Sequence, residues 1–218
     1  MERAGPGVKA FREAWSLRVG AGILSPVARP DVETRIARAL ERGEHEAAAA
    51  EAIRGFGPEI LGYLSRVLGS RDDASDAFSF FAEQLWRGMP GFAGRSSVRV
   101  WAYRVAWSAA VRLRADAWSR RRERFPTSMA SRVAGEVLSR SAITRERESA
   151  ELARLRAALD AGEQSLLVLR VDRGLSWREV AEVMAADGEE LDEPALRKRF
   201  ERVKAKLARL AHQEGLIE

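Results

Sequence analysis

The spacing of apolar residues near the C-terminus constrains the fold more than any other feature of the sequence. Apolar side chains recur there at intervals of four, three, four and three residues: Leu196, Phe200, Val203, Leu207 and Leu210. This spacing places them in one narrow stripe along an α-helix. Stretches rich in alanine, glutamate, arginine and leucine fill most of the remaining chain, and no run of β-branched residues alternates with period two over a useful length. The sequence therefore predicts an all-α protein.

Breaks in the helical pattern divide the chain into two small helical domains. Residues 1–30, rich in glycine and proline, are expected to form a poorly ordered lead-in. The first domain is predicted over 31–124 and the second over 146–218. Residues 125–145, which contain Pro126 and several serines, are predicted to be a linker with at most a short helix. The predicted helices lie at about 31–54, 58–68, 71–87, 96–122, 146–160, 163–172, 176–186 and 193–212, with a break at 55–58.

Several kinds of functional site are excluded by residue types and segments that the chain lacks. It contains no cysteine, which removes disulfides, thiolate zinc sites and cysteine nucleophiles and fits the reducing cytosol. Its N-terminus has no apolar signal-peptide core, and no run reaches the roughly 18 apolar residues of a membrane helix. We therefore expect a cytoplasmic protein that does not use a membrane.

The histidines and glycines form no catalytic or cofactor-binding pattern. His45 and His212 lie far apart in the sequence, and neither belongs to a metal-ligand motif such as His-Glu-x-x-His. Neither a phosphate-binding nor a dinucleotide-binding glycine motif is present. We therefore expect a binding protein rather than an enzyme, with no catalytic residue, no metal and no cofactor.

Positive charge is concentrated in two windows of the sequence. Nine arginines against two carboxylates lie between Arg95 and Arg124, and seven lysines and arginines against one carboxylate lie between Pro194 and Arg209. Each window has a larger net charge than the whole chain, which carries +5. Two separate basic patches predict a nucleic-acid duplex that is contacted at two places. The alternative is two solvated helix faces.

The start of one helix in the second domain is marked by a capping box. Ser176 can accept a hydrogen bond from the amide of Glu179, while the Glu179 side chain reaches back to the amide of Ser176. Leu175 and Val180 then occupy the two positions of a hydrophobic staple. A helix beginning at Ser176, a turn and the apolar stripe together predict a helix-turn-helix.

The outer face of the second helix in this motif is basic. Recognition helices enter the major groove with their N-terminal end first. Arg197 and Lys198 lie in the first turns, within reach of base edges, and Arg202 is better placed for a phosphate. The alternative is a helical hairpin with a solvated cationic face.

Two segments of the second domain resemble sigma region 4 of bacterial transcription factors. Residues 166–181 are similar to its opening, where an apolar helix leads into a Gly-Leu-Ser-x-x-Glu-Ile-Ala turn and helix. Residues 194–200 resemble the recognition helix that reads the −35 promoter element. The turn at 186–192 is longer and more acidic than the family's usual one. The resemblance implies that the −35 contacts come from four residues: Ala195, Arg197, Lys198 and Arg202.

A helix of the first domain is similar to the part of sigma region 2 that docks on the clamp helices of RNA polymerase. Residues 73–77 resemble the start of that region. The core stripe of this helix is predicted to contain Ala74, Ala77, Phe78, Phe81 and Leu85. The resemblance assigns polymerase contacts to the opposite face: Asp76, Ser79, Phe80 and Glu83. At Ser79 and Phe80 the family usually carries Gln-Glu.

The next segment, 92–106, looks like the loop and helix that capture the melted −10 strand. The resemblance implies −10 contacts by five residues: Arg95, Arg99, Tyr103, Trp107 and Arg114. Aromatic rings interleaved with arginines suit unpaired bases, because rings stack on any base. The alternative for Tyr103 and Trp107 is a second packing face for a neighbouring helix. Ser108 stands where the family usually has asparagine.

The family that these segments resemble is the extracytoplasmic-function type of sigma factor, in the sigma-70 superfamily. The resemblance covers roughly residues 45–120 and 150–212. It implies a protein that binds core RNA polymerase, recognises −10 and −35 elements of promoter DNA and helps to melt the DNA. It also allows for control by an anti-sigma factor. Two alternatives remain open: a dimeric helix-turn-helix regulator of another class, and a degenerate sigma-like protein that binds polymerase without initiating transcription.

Overall fold

The computed structural model of the chain describes residues 30–115, 128–141, 150–185 and 191–215. Within these ranges the regular secondary structure is helical, without a strand, so the all-α prediction is confirmed. Residues 1–29 of the expected lead-in, the basic run 120–124 and residues 186–190 of the acidic turn lie outside the described residues. No helix in the described part of the chain is both long and apolar enough to cross a membrane.

The first unit is a bundle built around one long central helix. Its helices are α1 (Pro30–Glu41), α2 (His45–Leu68), α3 (Arg71–Gly88), α4 (Val98–Ala115) and α5 (Met129–Ser141). Helix α2 packs against each of the other four. The core stripe predicted for α3 is confirmed, since all five of its side chains are fully buried.

The boundary between the first two helices lies at residues 42–44 and not at the predicted break. Gly43 there has a left-handed φ of 71°, and α2 continues through Pro58. A Cβ at Gly55 would clash with Val32 of α1, and one at Gly57 would lie 3.0 Å from Val137 of α5. These glycines therefore allow neighbouring helices to approach closely.

The segment expected to be a linker contains α5, which packs against α2 and α3. The Ser128 hydroxyl begins this helix by accepting a hydrogen bond from Ser131 N at 3.1 Å. The same hydroxyl donates to the Glu83 carboxylate at 2.5 Å. The buried face of α5 consists of Ala130, Val133, Ala134 and Val137. The serines of this segment thus cap a helix, and its apolar residues at helical spacing belong to the first bundle.

The second unit contains four shorter or amphipathic helices. They are α6 (Ala150–Ala157), α7 (Ala161–Leu167), α8 (Trp177–Met184) and α9 (Glu193–Gln213), with a π-helical turn at Val168–Asp172 after α7. The predicted capping box is confirmed: Glu179 N donates to Ser176 Oγ at 3.3 Å, and Ser176 N donates to the Glu179 carboxylate at 2.6 Å. The stripe of α9 is buried at its first four positions, and Leu210 is half-buried.

The two units share one continuous apolar core. Helix α2 packs against α7, and α4 packs against α8. The chain is therefore closed on itself, with the helix-turn-helix unit lying against the bundle.

Candidate nucleic-acid interface

The N-terminal half of α9 presents a cationic face to solvent. Asp192 caps the helix by accepting a hydrogen bond from Ala195 N at 2.7 Å. All four residues expected to contact the −35 element are exposed: Ala195, Arg197, Lys198 and Arg202. Arg197 donates to the Glu193 carboxylate at 2.9 Å, whereas Lys198 and Arg202 form no ion pair with the described part of the chain. This face can therefore accept phosphates and base edges without further rearrangement of the fold.

Trp177 connects the two helices of the helix-turn-helix. Its ring lies 5.5 Å from the ring of Phe200 in a T-shaped arrangement. The guanidinium groups of Arg170 and Arg197 lie 4.9 and 5.8 Å from the centre of the Trp177 ring. Arg170 also donates to Leu175 O at 2.7 Å. Trp177 therefore sets the angle of α9 and holds Arg197 at the exposed edge.

The N-terminus of α4 is fixed by two carboxylates from other helices. Glu33 of α1 accepts hydrogen bonds from Val98 N at 3.3 Å and Arg99 N at 3.0 Å, which satisfies backbone donors that a helix leaves free. Glu59 of α2 accepts two hydrogen bonds from the Arg99 guanidinium, at 2.9 and 3.2 Å. Arg99, expected to contact DNA, is thus occupied by an internal carboxylate.

The two aromatic residues expected at the −10 strand are buried in the closed chain. Tyr103 has no exposed surface and Trp107 is 7% exposed. The Tyr103 ring packs edge-on against Tyr63 with centroids 5.3 Å apart. Burial and the charge of Glu59 raise the pKa of the Tyr103 hydroxyl well above its ordinary value, against the opposing effects of Arg173 and Arg99. In this conformation both rings therefore form a packing face for neighbouring helices, which was the alternative to strand binding.

The remaining arginines expected at the −10 strand lie on either side of this buried face. Arg95 is exposed on the loop before α4, and Arg114 is exposed near the helix end. The five predicted residues are therefore divided between solvent and interior. An extended strand could reach Arg95 and Arg114 here, but not the rings between them.

The face of α3 expected to bind polymerase is only partly accessible. Asp76 is exposed, Ser79 donates to Ser75 O within its own helix at 3.0 Å, and Phe80 is half-buried with the Arg112 guanidinium 4.9 Å from its ring centre. Glu83 is buried, because α5 covers it and Ser128 bonds its carboxylate. The placement of Glu83 on an open docking face is therefore wrong for this structure.

Comparison with known proteins finds similarity to sigma factors. A family model for sigma-70 region 2 matches residues 52–120, which run from α2 through α4. The chain is 30% identical over 152 residues to the ECF RNA polymerase sigma factor SigG of Mycobacterium tuberculosis, covering 60% of this chain and 40% of that relative. It is 27% identical over 151 residues to the RNA polymerase sigma factor YlaC of Bacillus subtilis, covering 65% and 82% of the two chains.

These matches support a sigma factor of the sigma-70 family, of the extracytoplasmic-function type. The region 2 match corresponds to the part of the bundle that carries Arg99, Tyr103 and Trp107. The chain spans about 40% of the length of SigG, so the activity of the whole SigG protein is applied to this chain only as a proposal.

Four residues that position the helices of the candidate interface were not predicted from the sequence. Glu33 and Glu59 orient α4, and Trp177 orients α9. Asp172, whose side chain is 1% exposed, receives Arg156 at 3.2 Å and Arg66 at 3.6 Å. Of these, Trp177 alone had a local signal, because it directly follows the N-cap of a helix-turn-helix. The carboxylates act on residues far away in the sequence.

Proposed function

We propose that this chain binds core RNA polymerase in the cytoplasm and directs it to promoters. The second unit would read the −35 element and the first would hold the melted −10 strand. The observation that carries the proposal is the exposed cationic N-terminal half of α9, presented by a capped helix-turn-helix. The region 2 match over residues 52–120 and the similarity to two sigma factors support it.

The −35 contact would work through two kinds of side chain on α9. Arg197 and Lys198 lie in the first turns, where a recognition helix approaches base edges. Arg202 lies about one turn further along the same exposed face, where it would meet a phosphate. Contact with the bases would separate Arg197 from Glu193, exchanging an exposed ion pair for a hydrogen bond to a base. Because exposed ion pairs contribute little to stability, breaking the Arg197–Glu193 pair costs little free energy.

The −10 contact would use α4 and the loop before it. Unpaired bases would stack on Tyr103 and Trp107, and each stacked base contributes about 1–3 kcal/mol. This gain offsets the cost of a few kcal/mol for unstacking a base from the duplex. Arg95 and Arg114 would attract the strand backbone. Such a protein promotes initiation through binding energy and performs no covalent chemistry itself.

A reconstitution assay tests this function. The purified chain is mixed with core RNA polymerase from its own host, and co-elution and run-off transcripts from genomic promoter fragments are measured. We expect stable co-elution and transcripts with defined start sites. A chain that ignores core polymerase but binds a palindromic duplex tightly would be a dimeric regulator instead. Binding to core without any transcript would indicate a sigma-like protein that does not initiate.

A pair of variants on one helix sharpens the assay. Lys198→Ala removes a charge from the recognition end of α9, while Arg209→Ala removes one from the exposed face near its other end. We expect Lys198→Ala to reduce promoter-specific transcription and Arg209→Ala to have a much smaller effect. Equal losses would mean that α9 contributes only a diffuse positive field and does not enter the groove end first.

A further inference from the structure

The first turn of α9 carries a carboxylate at the start of an otherwise cationic helix. Glu193 is the first residue of α9, and its side chain is 40% exposed. The sequence of α9 contains one other carboxylate, Glu201, further along the helix. All other charged residues between Glu193 and Arg209 are lysines and arginines. Because the phosphates of a duplex repel a carboxylate, Glu193 needs a specific hydrogen-bond donor where α9 meets DNA.

Glu193 and Arg197 form an ion pair one helical turn apart. Arg197 Nη2 lies 2.9 Å from a carboxylate oxygen of Glu193, and the Arg197 guanidinium lies 5.8 Å from the centre of the Trp177 ring. Both charged side chains line an open cleft of about 430 Å³ between the starts of α8 and α9. The pair therefore lies on an accessible surface, at the end of α9 that would enter the groove first.

We infer that Glu193 reads a base directly, by accepting a hydrogen bond from the N4 amino group of a cytosine next to the base pair that Arg197 contacts. The inference rests on the function proposed above, because it requires α9 to enter the major groove of a −35 element. When Arg197 leaves for a base edge, the Glu193 carboxylate loses its ion-pair partner. Amino groups are the donors that base edges offer in the major groove, and glutamate accepts from cytosine N4.

The spacing of the two side chains suits neighbouring base pairs. Residues four positions apart on a helix have Cβ atoms about 5–6 Å apart, whereas successive bases of one strand are about 3.4 Å apart along the duplex axis. Arg197 would donate to O6 and N7 of a guanine, while Glu193 would accept from a cytosine in an adjacent pair. The ion pair of the free chain is thus exchanged for two base contacts.

Repulsion would sharpen the selectivity of Glu193. A guanine or thymine in place of the cytosine presents acceptor atoms to the carboxylate in the major groove. The carboxylate would then be left without a donor, which is unfavourable for a desolvated charged group. Discrimination therefore comes from the wrong bases that Glu193 rejects as well as from the base that it bonds.

Glu193→Gln and Glu201→Gln form a matched pair of variants. Each removes one negative charge from α9, and each carboxylate pairs with a cation of the same helix, Glu201 with Lys204 at 2.7 Å. Charge alone therefore predicts a similar, uniform gain in duplex affinity for both variants. Base reading predicts a difference between them, because glutamine bonds N6 and N7 of adenine whereas glutamate accepts from cytosine.

Selection from a duplex library measures this difference. Duplexes randomised over the −35 element of a promoter found in the run-off assay are selected by the free chain and by its complex with core polymerase. We expect the wild type to prefer cytosine at one position by about tenfold. Glu193→Gln should shift that position to adenine, and Glu201→Gln should keep the wild-type preference. Identical base preferences in all three chains would overturn the inference and leave the proposed function standing.

Two further variants separate direct reading from an effect through Arg197. Glu193→Asp keeps the charge but shortens the side chain by one methylene, so it should lose the cytosine preference without gaining one for adenine. In the Arg197→Ala background, Glu193→Gln should still shift its own position to adenine. If the shift vanishes without Arg197, Glu193 acts only by orienting that arginine, and the inference is wrong.

The same selection distinguishes failure of the inference from failure of the proposed function. A wild-type chain that selects a −35 sequence, with Glu193→Gln unable to change any position of it, contradicts the inference alone. A wild-type chain without any base preference, both free and with core polymerase, contradicts the proposed function and the inference with it.

Discussion

The two basic faces of this molecule are built by the same kind of helix but differ in what they can reach. The face of α9 projects Arg197, Lys198 and Arg202 into solvent. The face of α4 holds Arg99 against Glu59 and buries Tyr103 where the helix-turn-helix unit packs against the bundle. The difference arises from the partners of each helix: α9 packs with one apolar stripe, while α4 packs against α2, α3 and α8. A charge pattern therefore identifies a candidate interface but not whether it is open.

The largest expected effect concerns the buried ion pairs of Asp172. Asp172→Asn removes the charge that pairs with Arg156 and Arg66. Breaking a buried pair leaves uncompensated charge, so the free energy of unfolding should fall by about 3–5 kcal/mol in urea denaturation. The control is Glu136→Gln, which removes an exposed pair with Arg54 and should leave the free energy of unfolding nearly unchanged. Equal losses of stability in the two variants would show that the ion pairs of Asp172 contribute no more to folding than an exposed pair.

The next effect concerns the open face. Arg197→Ala should weaken binding to a promoter duplex by about 1–3 kcal/mol and relax specificity at one position of the −35 element. Because α9 is exposed in the closed chain, the loss should appear for the free chain as well as for the polymerase complex. It is measured by competition among duplexes with single base-pair changes. A loss confined to the polymerase complex would mean that α9 does not contact the duplex in the free chain.

A smaller effect is expected at the start of α8. Ser176→Ala removes one half of the capping box, which should cost about 1 kcal/mol in thermal or urea unfolding. Ser176→Asn, which retains a capping acceptor, should restore most of that stability. If alanine and asparagine are equivalent, the cap does not stabilise the helix-turn-helix.

The smallest effect is a difference in alkaline titration. The pKa of Tyr103 is raised by burial and by Glu59 in the closed chain. The contribution of Tyr103 to stability is therefore present below its unfolded pKa and is lost as the pH rises through its folded pKa. Tyrosinate absorbance, with Tyr103→Phe subtracted, should show a higher pKa for Tyr103 in the folded chain than in the chain unfolded in urea. Identical titrations would mean that burial does not raise the pKa of Tyr103.

Local signals in the sequence were sufficient for much of the fold. The Ser176–Glu179 capping box and the core stripe of α3 depend on residues three or four positions apart, and both are found in the structure. Gly55 and Gly57 led to the prediction of a break at 55–58, which lies inside α2. Glycine permits close helix packing as well as chain breaks, and only the positions of Val32 and Val137 show that packing is the reason here.

The burial of the −10 face could not be predicted, because it depends on contacts that no local pattern encodes. The Tyr63–Ser165 hydrogen bond joins residues 102 positions apart, and Glu33 caps a helix that begins 65 positions later. Helical spacing placed Tyr103 and Trp107 on one face and left open whether that face binds a strand or packs against a neighbouring helix. It carried no information about which helix would cover that face.

The most direct test of the account compares DNA binding by the free chain and by its complex with core polymerase. Promoter duplex and the single strand from its −10 region are titrated against both, using a promoter found in the run-off assay. The account predicts that the free chain binds the duplex weakly through α9 and barely binds the strand, whereas the complex binds both, with strand binding lost in Trp107→Ala. A free chain that binds the single strand as tightly as the complex does would contradict it.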